Sequence, residues 1–415
     1  MESIEGEKGW MRKINTRNFK RATRTTAREV NRQILLNLLR ENQPISRADL
    51  ARRMSLGRGM VTELVNALIA EGVIYEGATA AAARGRRPTL LHIRTRDRFA
   101  VGVDVRFSRT YVMLCDFAGR QVALESFETI FDPAELVGVL GTRIQRILTA
   151  NDALMQCHGI GLVVPGMVDR RSGRVLNSPQ LGWRGVDVSD ALAAATNLPV
   201  MIENAPIACA LAHVWLGARS SDMENFVYVT VSDGVGAGLV VNGQVVRGHG
   251  STAGEFGHIP ITADGPRCLC GKPGCLEAYT SNLATLARYL GSDLSDVGMR
   301  RMLRETTFTI EDLIARARAS DTKARHALDE TGRYLGIGLS IIVNGLNPER
   351  IFVGGEIAEA WELIEPRVRA VVAERALTEG AAHTPITPEP GTEYPRLRGA
   401  TALVVAPIFA APQVG

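Results

Sequence analysis

The sequence predicts an N-terminal all-α module of winged helix-turn-helix type, followed by a larger body of two α/β lobes. Three observations predict it. Residues 28 to 70 hold three short amphipathic helices with a tight turn between the last two; after residue 98 the texture changes to alternating apolar strands and helices; and positive charge is confined to the first part of the chain. Residues 1–98 carry 20 Lys and Arg against 10 Asp and Glu, a net of +10, so the +4 of the whole chain leaves −6 for the remainder. A basic module joined to a mildly acidic body is the electrostatic footprint of a polyanion binder, because cationic side chains gain affinity by displacing counterions from phosphates.

Residues 28–41 place Val30, Ile34, Leu35 and Leu38 on one stripe, the pattern of an amphipathic helix. Ser46 opens a second helix as its N-cap, with Asp49 three residues on and Leu50 and Ala51 turned inward. Met54-Ser55-Leu56-Gly57 makes the turn, and a third helix runs from about 58 to 70 with Val61, Leu64, Val65, Leu68 and Ile69 on its inner side. This arrangement is that of a DNA-binding helix-turn-helix. The third helix is expected to enter a major groove with Arg58, Gly59, Met60, Thr62, Glu63 and Asn66 outward, and Arg47 joins them as a candidate DNA contact.

Val73-Ile74-Tyr75 and residues 89–93 read as the two strands of a wing. The loop between them, 77–87, ends in Arg84-Gly85-Arg86-Arg87-Pro88, and Arg84, Arg86 and Arg87 suit a narrow minor groove or the phosphate backbone. Residues 1–23 are basic, have little apolar content and read as a disordered arm. Residues 24–93 form the winged module, and 94–98 a short polar linker into a body that runs from 99 to 415.

In that body, 99–105 and 111–116 read as strands, with a hairpin turn at Ala118-Gly119-Arg120. An amphipathic helix near 133–150 leads to a strand at 159–164, and the same grammar returns with strands at 225–231 and 236–241 and long helices over about 322–345. Two lobes with a shared plan fit the actin-like ATPase and sugar kinase fold, which binds nucleotide in the cleft between lobes. At 415 residues, 46% apolar and 22% charged, the chain has room for two or three domains. No apolar run approaches 18 residues, so no membrane insertion is expected and the cytoplasm is the default location.

One segment concentrates chemistry. Half of the six cysteines fall in the eight residues Cys268-x-Cys270-x4-Cys275, ten residues after His258. Three thiolates and one imidazole make a closed tetrahedral zinc shell, which suits a structural rather than a hydrolytic ion. Cys115, Cys157 and Cys209 stand singly in apolar surroundings, as core residues do.

The run from Gly254-Glu255-Phe256-Gly257-His258 through Cys275-Leu276-Glu277 resembles the signature of the ROK family, whose name joins repressors, open reading frames and sugar kinases. The resemblance implies that His258, Cys268, Cys270 and Cys275 hold the zinc, that Glu255, His258 and Glu277 face a sugar, and that Asn204 hydrogen-bonds one of its hydroxyls. The Gly85-Arg86-Arg87-Pro88 segment is similar to one in the family's repressors. Two segments depart from the family's kinases. Where these carry Asp-x-Gly-Gly-Thr this chain reads Asp104-Val105-Arg106-Phe107-Ser108, with bulk where backbone amides would face phosphate. Where they carry Glu-Asn-Asp-Ala it reads Glu203-Asn204-Ala205-Pro206, so a methyl replaces the carboxylate that takes the sugar's proton, a loss worth ~10²–10⁴ in rate. Ser232 to Gly238 and Ile351 to Glu356 resemble the second phosphate segment and a nucleotide-side segment, and Gln180 stands where the kinases place a sugar-binding Asn.

The resemblance therefore implies a sugar-responsive DNA-binding regulator, a repressor of carbohydrate-metabolism genes, with no catalytic residue in its kinase-like body. Its expected partners are double-stranded operator DNA, a sugar or sugar phosphate, and further copies of itself as a homodimer or tetramer. Two alternatives stand beside it: an active sugar kinase with an appended DNA-binding module, and a regulator controlled by docking to a transport protein.

Overall fold

The computed structural model describes residues 24–79, 88–216, 223–389, 391 and 394–410. These fall into two compact units, one made of the residues up to Arg94 together with 407–410, the other of Thr95–Ala406.

The first unit opens with α1 (Arg24–Asn42), followed by β1 (Ile45–Ser46), α2 (Arg47–Met54), α3 (Arg58–Ala70), β2 (Ile74–Thr79) and β3 (Thr89–Ile93). The three strands form an antiparallel sheet in the order β1-β3-β2. Ser46 caps α2 as its type predicts: its Oγ accepts from the Asp49 N–H at 3.2 Å and donates to Asp49 Oδ2 at 2.6 Å. Ser55 ends α2 in the left-handed region at φ 51°, which turns the chain into α3. The core is Leu35, Leu36, Leu39, Leu50, Val61, Leu64, Val65 and Leu68. The stripe expected on α1 is therefore rotated: Ile34 is 44% exposed and Val30 and Leu38 are half-buried, while Leu36 and Leu39 are inside. Apolar residues at 34, 35, 36, 38 and 39 satisfy the helical period on more than one face, and packing against α2, α3 and β3 selects among them. Ile69 likewise sits at the boundary, half-buried. The last turn of the chain's C-terminal helix counts with this unit, where Asn37 Nδ2 donates to the Phe409 carbonyl at 2.8 Å.

The second unit repeats one topology. β4 (Phe99–Val105), β5 (Arg109–Asp116) and β6 (Gln121–Glu128) make an antiparallel meander, and after α4 (Pro133–Ala150) β7 (Cys157–Val164) lies parallel to β4. A small sheet of β8 (Met167–Asp169), β9 (Arg174–Ser178) and β10 (Trp183–Asp187) and then α5 (Ser189–Thr196) precede β11 (Val200–Asn204), which extends the main sheet to the order β11-β7-β4-β5-β6. After α6 (Ala205–Leu216) the plan returns: β12 (Phe226–Val231), β13 (Val235–Val241) and β14 (Gln244–Val246) form the meander. Helices α7 (Glu277–Thr280), α8 (Asn282–Leu290), α9 (Val297–Glu305), α10 (Ile310–Arg318) and α11 (Thr322–Leu346) intervene before the parallel strand β15 (Arg350–Gly354). α12 (Trp361–Arg375), α13 (Glu379–Ala382), β16 (Ile386–Pro388) and α14 (Pro395–Phe409) complete the second sheet, β14-β13-β12-β15-β16, and its cover. Each lobe is thus a three-strand meander extended by two parallel strands.

The helices are set by ordinary signals. Asp132 Oδ1 accepts from the Glu135 N–H at 2.9 Å, Pro133 stands in the first turn, and Leu136, Leu140, Ile144 and Leu148 bury one face of α4. The region read as several long helices is the single 25-residue α11. α14 approaches β7 closely at Gly161, where a Cβ would lie 1.8 Å from the Ala400 carbonyl oxygen, so no larger residue fits without moving the helix. No helix among the described residues is long and apolar enough to cross a membrane.

Candidate functional site

The cleft of the second unit gathers the end of β4, the β11–α6 junction, the β12–β13 turn, the one-turn helix Phe256–His258 and the start of α7. It holds a cavity of about 360 Å³ whose polar lining includes Asn204, Gln180, Asp233, Glu255, His258 and Glu277. Phe107, Ala205 and Pro206 contribute its apolar part. All four residues expected to face a sugar therefore come together, although they are spread over more than seventy positions of sequence.

The metal-type residues converge beside it. One ligand atom from each of His258, Cys268, Cys270 and Cys275 lies within 4.8 Å of the others. The chain reaches this by a knuckle: the Cys268 N–H donates to the Lys272 carbonyl at 2.9 Å, Arg267 bridges to Pro273, and Pro260 bridges to Cys275. Zn–S bonds near 2.3 Å give a tetrahedron with edges of about 3.8 Å. The pairs Cys270 Sγ–Cys275 Sγ and Cys268 Sγ–His258 Nδ1 are both 3.7 Å apart, so the donor set fits a tetrahedral ion. Burial, and then the Glu277 carboxylate, push the Cys268 thiol up, and burial raises Cys275 to about 11. Three thiols this close do not ionise together unless a cation sits among them, and a bound ion reverses the shift.

His258 uses its two ring nitrogens differently. Nδ1 faces the thiols, whereas Nε2 is 3.8 Å from Glu255 Oε2 on the cavity side. Glu255 is held above the usual carboxylate range by burial, with the His258 ring opposing. Glu277 is buried and ties the two regions together: Oε1 accepts from Cys268 Sγ at 3.2 Å and Oε2 from the Val235 N–H at 2.9 Å. Asn204 Oδ1 accepts from the Ile207 N–H at 3.2 Å at the start of α6, so the group Asn204 offers a ligand is its Nδ2 amide. Gln180, read only as a substituted position, lines the cavity with a buried Oε1 that has no hydrogen-bond partner among the described residues. Close backbone contact shapes this wall: a Cβ on Gly254, at φ 91°, would lie 2.0 Å from the Ala237 carbonyl oxygen.

The side of the cleft around Asp104 and Glu356 contains a structure that sequence reading missed. Arg106 Nε donates to Asp104 Oδ2 at 2.7 Å and Arg106 Nη1 to Glu356 Oε1 at 3.1 Å, joining residues of the two lobes. Its guanidinium also lies 4.8 Å over the Tyr111 ring. Asp104 is fully buried, and its Oδ1 forms an ion pair at 3.0 Å with Arg396 Nε whose geometry falls short of a hydrogen bond. Glu356 Oε2 accepts from Ser232 Oγ and from Asn282 Nδ2 at 3.0 Å. Burial alone would lower the Arg106 guanidinium, but Asp104 and Glu356 outweigh it and hold it above its ordinary value. Arg106 thus sits between two counter-ions of its own, Asp104 fully buried and Glu356 half-buried. No sequence signal pairs it with Glu356, since they are 250 residues apart.

Asp233 is pushed up to about 6, by burial first and then by the Glu356 charge. A carboxyl raised in the folded state stabilises below its unfolded value near 4 and loses that contribution as pH rises through about 6. Asp233→Asn is accordingly expected to raise the melting temperature at pH 7.5 and to raise it markedly less at pH 5, midway between the unfolded and folded values, as differential scanning calorimetry at the two pH values would show. An equal effect at both would contradict the assignment.

In the first unit, Arg58, Gly59, Met60, Glu63 and Asn66 are exposed along α3. Thr62 is half-buried, with Oγ1 donating to the Arg58 carbonyl at 2.8 Å. Arg47 is half-buried and already engaged, with Asn66 and with Glu76. Arg84, Arg86 and Arg87, and the arm 1–23, lie outside the described residues.

Residues 100–406 match the ROK family, and residues 28–75 match a winged helix-turn-helix DNA-binding family. The chain is 30% identical to the xylose repressor of Bacillus subtilis (strain 168), over 92% of this chain and 97% of that protein. The crystal structure of a ROK family transcriptional regulator, a homologue of the E. coli MLC protein, superposes with a TM-score of 0.77 at 27% identity, covering 92% of this chain and 97% of that one. A ROK family glucokinase from Streptomyces griseus, solved with glucose and AMPPNP, shares the fold of the second unit, with a TM-score of 0.61 at 23% identity over 74% of this chain and 98% of that one. With the match spanning the whole two-lobed body and a relative of this identity aligned over nearly its full length, this chain belongs to the ROK family.

Proposed function

We propose that this protein is a sugar-responsive DNA-binding transcriptional regulator, acting as a repressor of carbohydrate-metabolism genes. The observation that carries the reading is the joining of a winged helix-turn-helix to a kinase-shaped cleft in which Ala205 takes the place of the kinase carboxylate and Arg106 fills the phosphate region. The cleft keeps the binding half of its chemistry, with Asn204, Glu255, His258 and Glu277 presenting amide, imidazole and carboxylate groups to ring hydroxyls. It lacks the base that would take a hydroxyl's proton. We assign zinc to His258, Cys268, Cys270 and Cys275, where it holds the imidazole in place and so positions one sugar contact.

Operator DNA is read by Arg58, Gly59, Met60, Thr62, Glu63 and Asn66 of α3, with Arg84, Arg86 and Arg87 on the wing loop. The working form is a homodimer or tetramer in the cytoplasm, and sugar and DNA affinities are coupled reciprocally. Fluorescence anisotropy of the zinc-loaded protein on DNA from its own upstream region, across a panel of monosaccharides and their phosphates, tests this. Tight, sequence-dependent binding that shifts with one sugar is the expected result. Equal binding to scrambled DNA, or no response to any sugar, would defeat it, the second outcome pointing to a protein partner. The kinase-fold likeness keeps one rival in play, and ATP-dependent turnover of a hexose in a coupled assay would establish that rival instead.

A further inference from the structure

Arg47, grouped above with the DNA contacts by type and position, has a different set of partners from the rest. Its Nη1 donates to Asn66 Oδ1 at 2.9 Å and its Nη2 to Glu76 Oε1 at 2.8 Å. Arg47 begins α2, Asn66 lies on the exposed face of α3, and Glu76 is on β2, so one guanidinium ties three elements of the winged module together. We propose that Arg47 is a positioning residue which sets the direction in which Asn66 reads DNA, rather than a cationic contact to the phosphates. The inference rests on the DNA-binding reading above.

A guanidinium carries donors only, so the amide atom facing it must be the carbonyl oxygen. That settles which way round the Asn66 amide stands and turns its Nδ2 protons away from Arg47. Without Arg47 the amide rotates freely and presents oxygen or nitrogen with similar ease. With it, Asn66 arrives at a base edge already presenting a donor, suited to an acceptor such as a purine N7, and loses less freedom on binding. The charge of Arg47 is meanwhile matched by Glu76 at hydrogen-bond distance, so its release of phosphate counterions is small. Glu76 stands on the wing strand, which makes the orientation of a recognition-helix side chain depend on the wing being folded.

The test uses the full-length, zinc-loaded protein and double-stranded DNA from its own upstream region, with binding read by anisotropy and base preference by selection and sequencing from a randomised site. Arg47→Met keeps the packing of the stem and removes the donors. Expected are a loss of about tenfold in discrimination at one base position per half-site, the same position and size of loss in Asn66→Ala, no further loss in the double variant, and an unchanged slope of log affinity against log salt. A salt slope smaller by about one in Arg47→Met, or additive losses in the double variant, would overturn the proposal and make Arg47 a direct phosphate contact. Glu76→Gln guards against a variant that merely unfolds: it retains an acceptor for Arg47 and should keep the base preference, while the freed charge makes the salt slope steeper. If the unaltered protein binds DNA without sequence preference, both this inference and the reading beneath it fall together, whereas preserved preference in Arg47→Met sinks this inference alone.

Discussion

Arg106→Met is expected to lower the stability of the two-lobed unit by about 3–5 kcal/mol at neutral pH, the usual cost of breaking a buried ion pair from one side. The side chain is 19% exposed, Asp104 is not exposed at all, and Glu356 is 19% exposed, so little water is available to replace the guanidinium. Asp104 would retain only Arg396, and Glu356 only the hydroxyl of Ser232 and the amide of Asn282. Burial would then drive one of these carboxyls to take up a proton, so the loss should shrink as pH falls towards 5. Urea unfolding across pH 5–8 measures both effects. Arg106→Met combined with Glu356→Gln should recover part of the loss, because the second change removes one of the orphaned charges; strictly additive losses would show that the cross-lobe pair is not the unit of stability. Phosphotransfer to a sugar is not expected from this variant, since Ala205 offers no proton acceptor.

The second large effect is expected at the proposed zinc site. Cys268→Ser together with Cys270→Ser leaves two donors of the four and should abolish binding of the one zinc per chain proposed above, as measured by plasma emission spectroscopy on dialysed protein. Sugar affinity should fall by about 10- to 100-fold, the scale on which neighbours of a metal-held group matter. The damage reaches the cavity through His258, whose ring loses what fixes Nδ1 while its Nε2 faces Glu255 on the cavity side. Isothermal calorimetry with the effector sugar reads the affinity. Full zinc occupancy in the double variant would refute the ligand assignment, and unaltered sugar affinity in a zinc-free protein would separate the knuckle from the cavity.

The sequence is most legible where the governing physics is local. Ser46 caps α2 as expected, because a hydroxyl placed three residues before a free N–H needs no tertiary help. The spacing of Cys268, Cys270 and Cys275 was enough to bring His258 into the same cluster, since four such donors have few other reasons to lie together. Interior strands such as β4, β7 and β12, apolar on both faces, were legible for the same reason. Polar or short strands were not: β6, the β8–β10 sheet, β14 and β16 have little periodicity of their own and exist because a neighbour supplies the ladder.

Sequence by itself determined the order of the modules, the sign of their charges, the zinc-type donor set and the two departures from kinase chemistry, Arg106-Phe107 and Ala205, because each depends on residue type and on spacing within a few turns of chain. Only the tertiary structure decided which face of α1 is buried, that Arg47 is tied to Asn66 and Glu76, that Glu277 links a thiol to the cavity, and that Arg106 clasps Asp104 and Glu356 across the cleft. In most of these a deciding partner is distant in sequence, as Glu356 is from Arg106, or several partners satisfy the local pattern equally well. The choice is then made by which pairing leaves the fewest buried charges and amides without a counterpart.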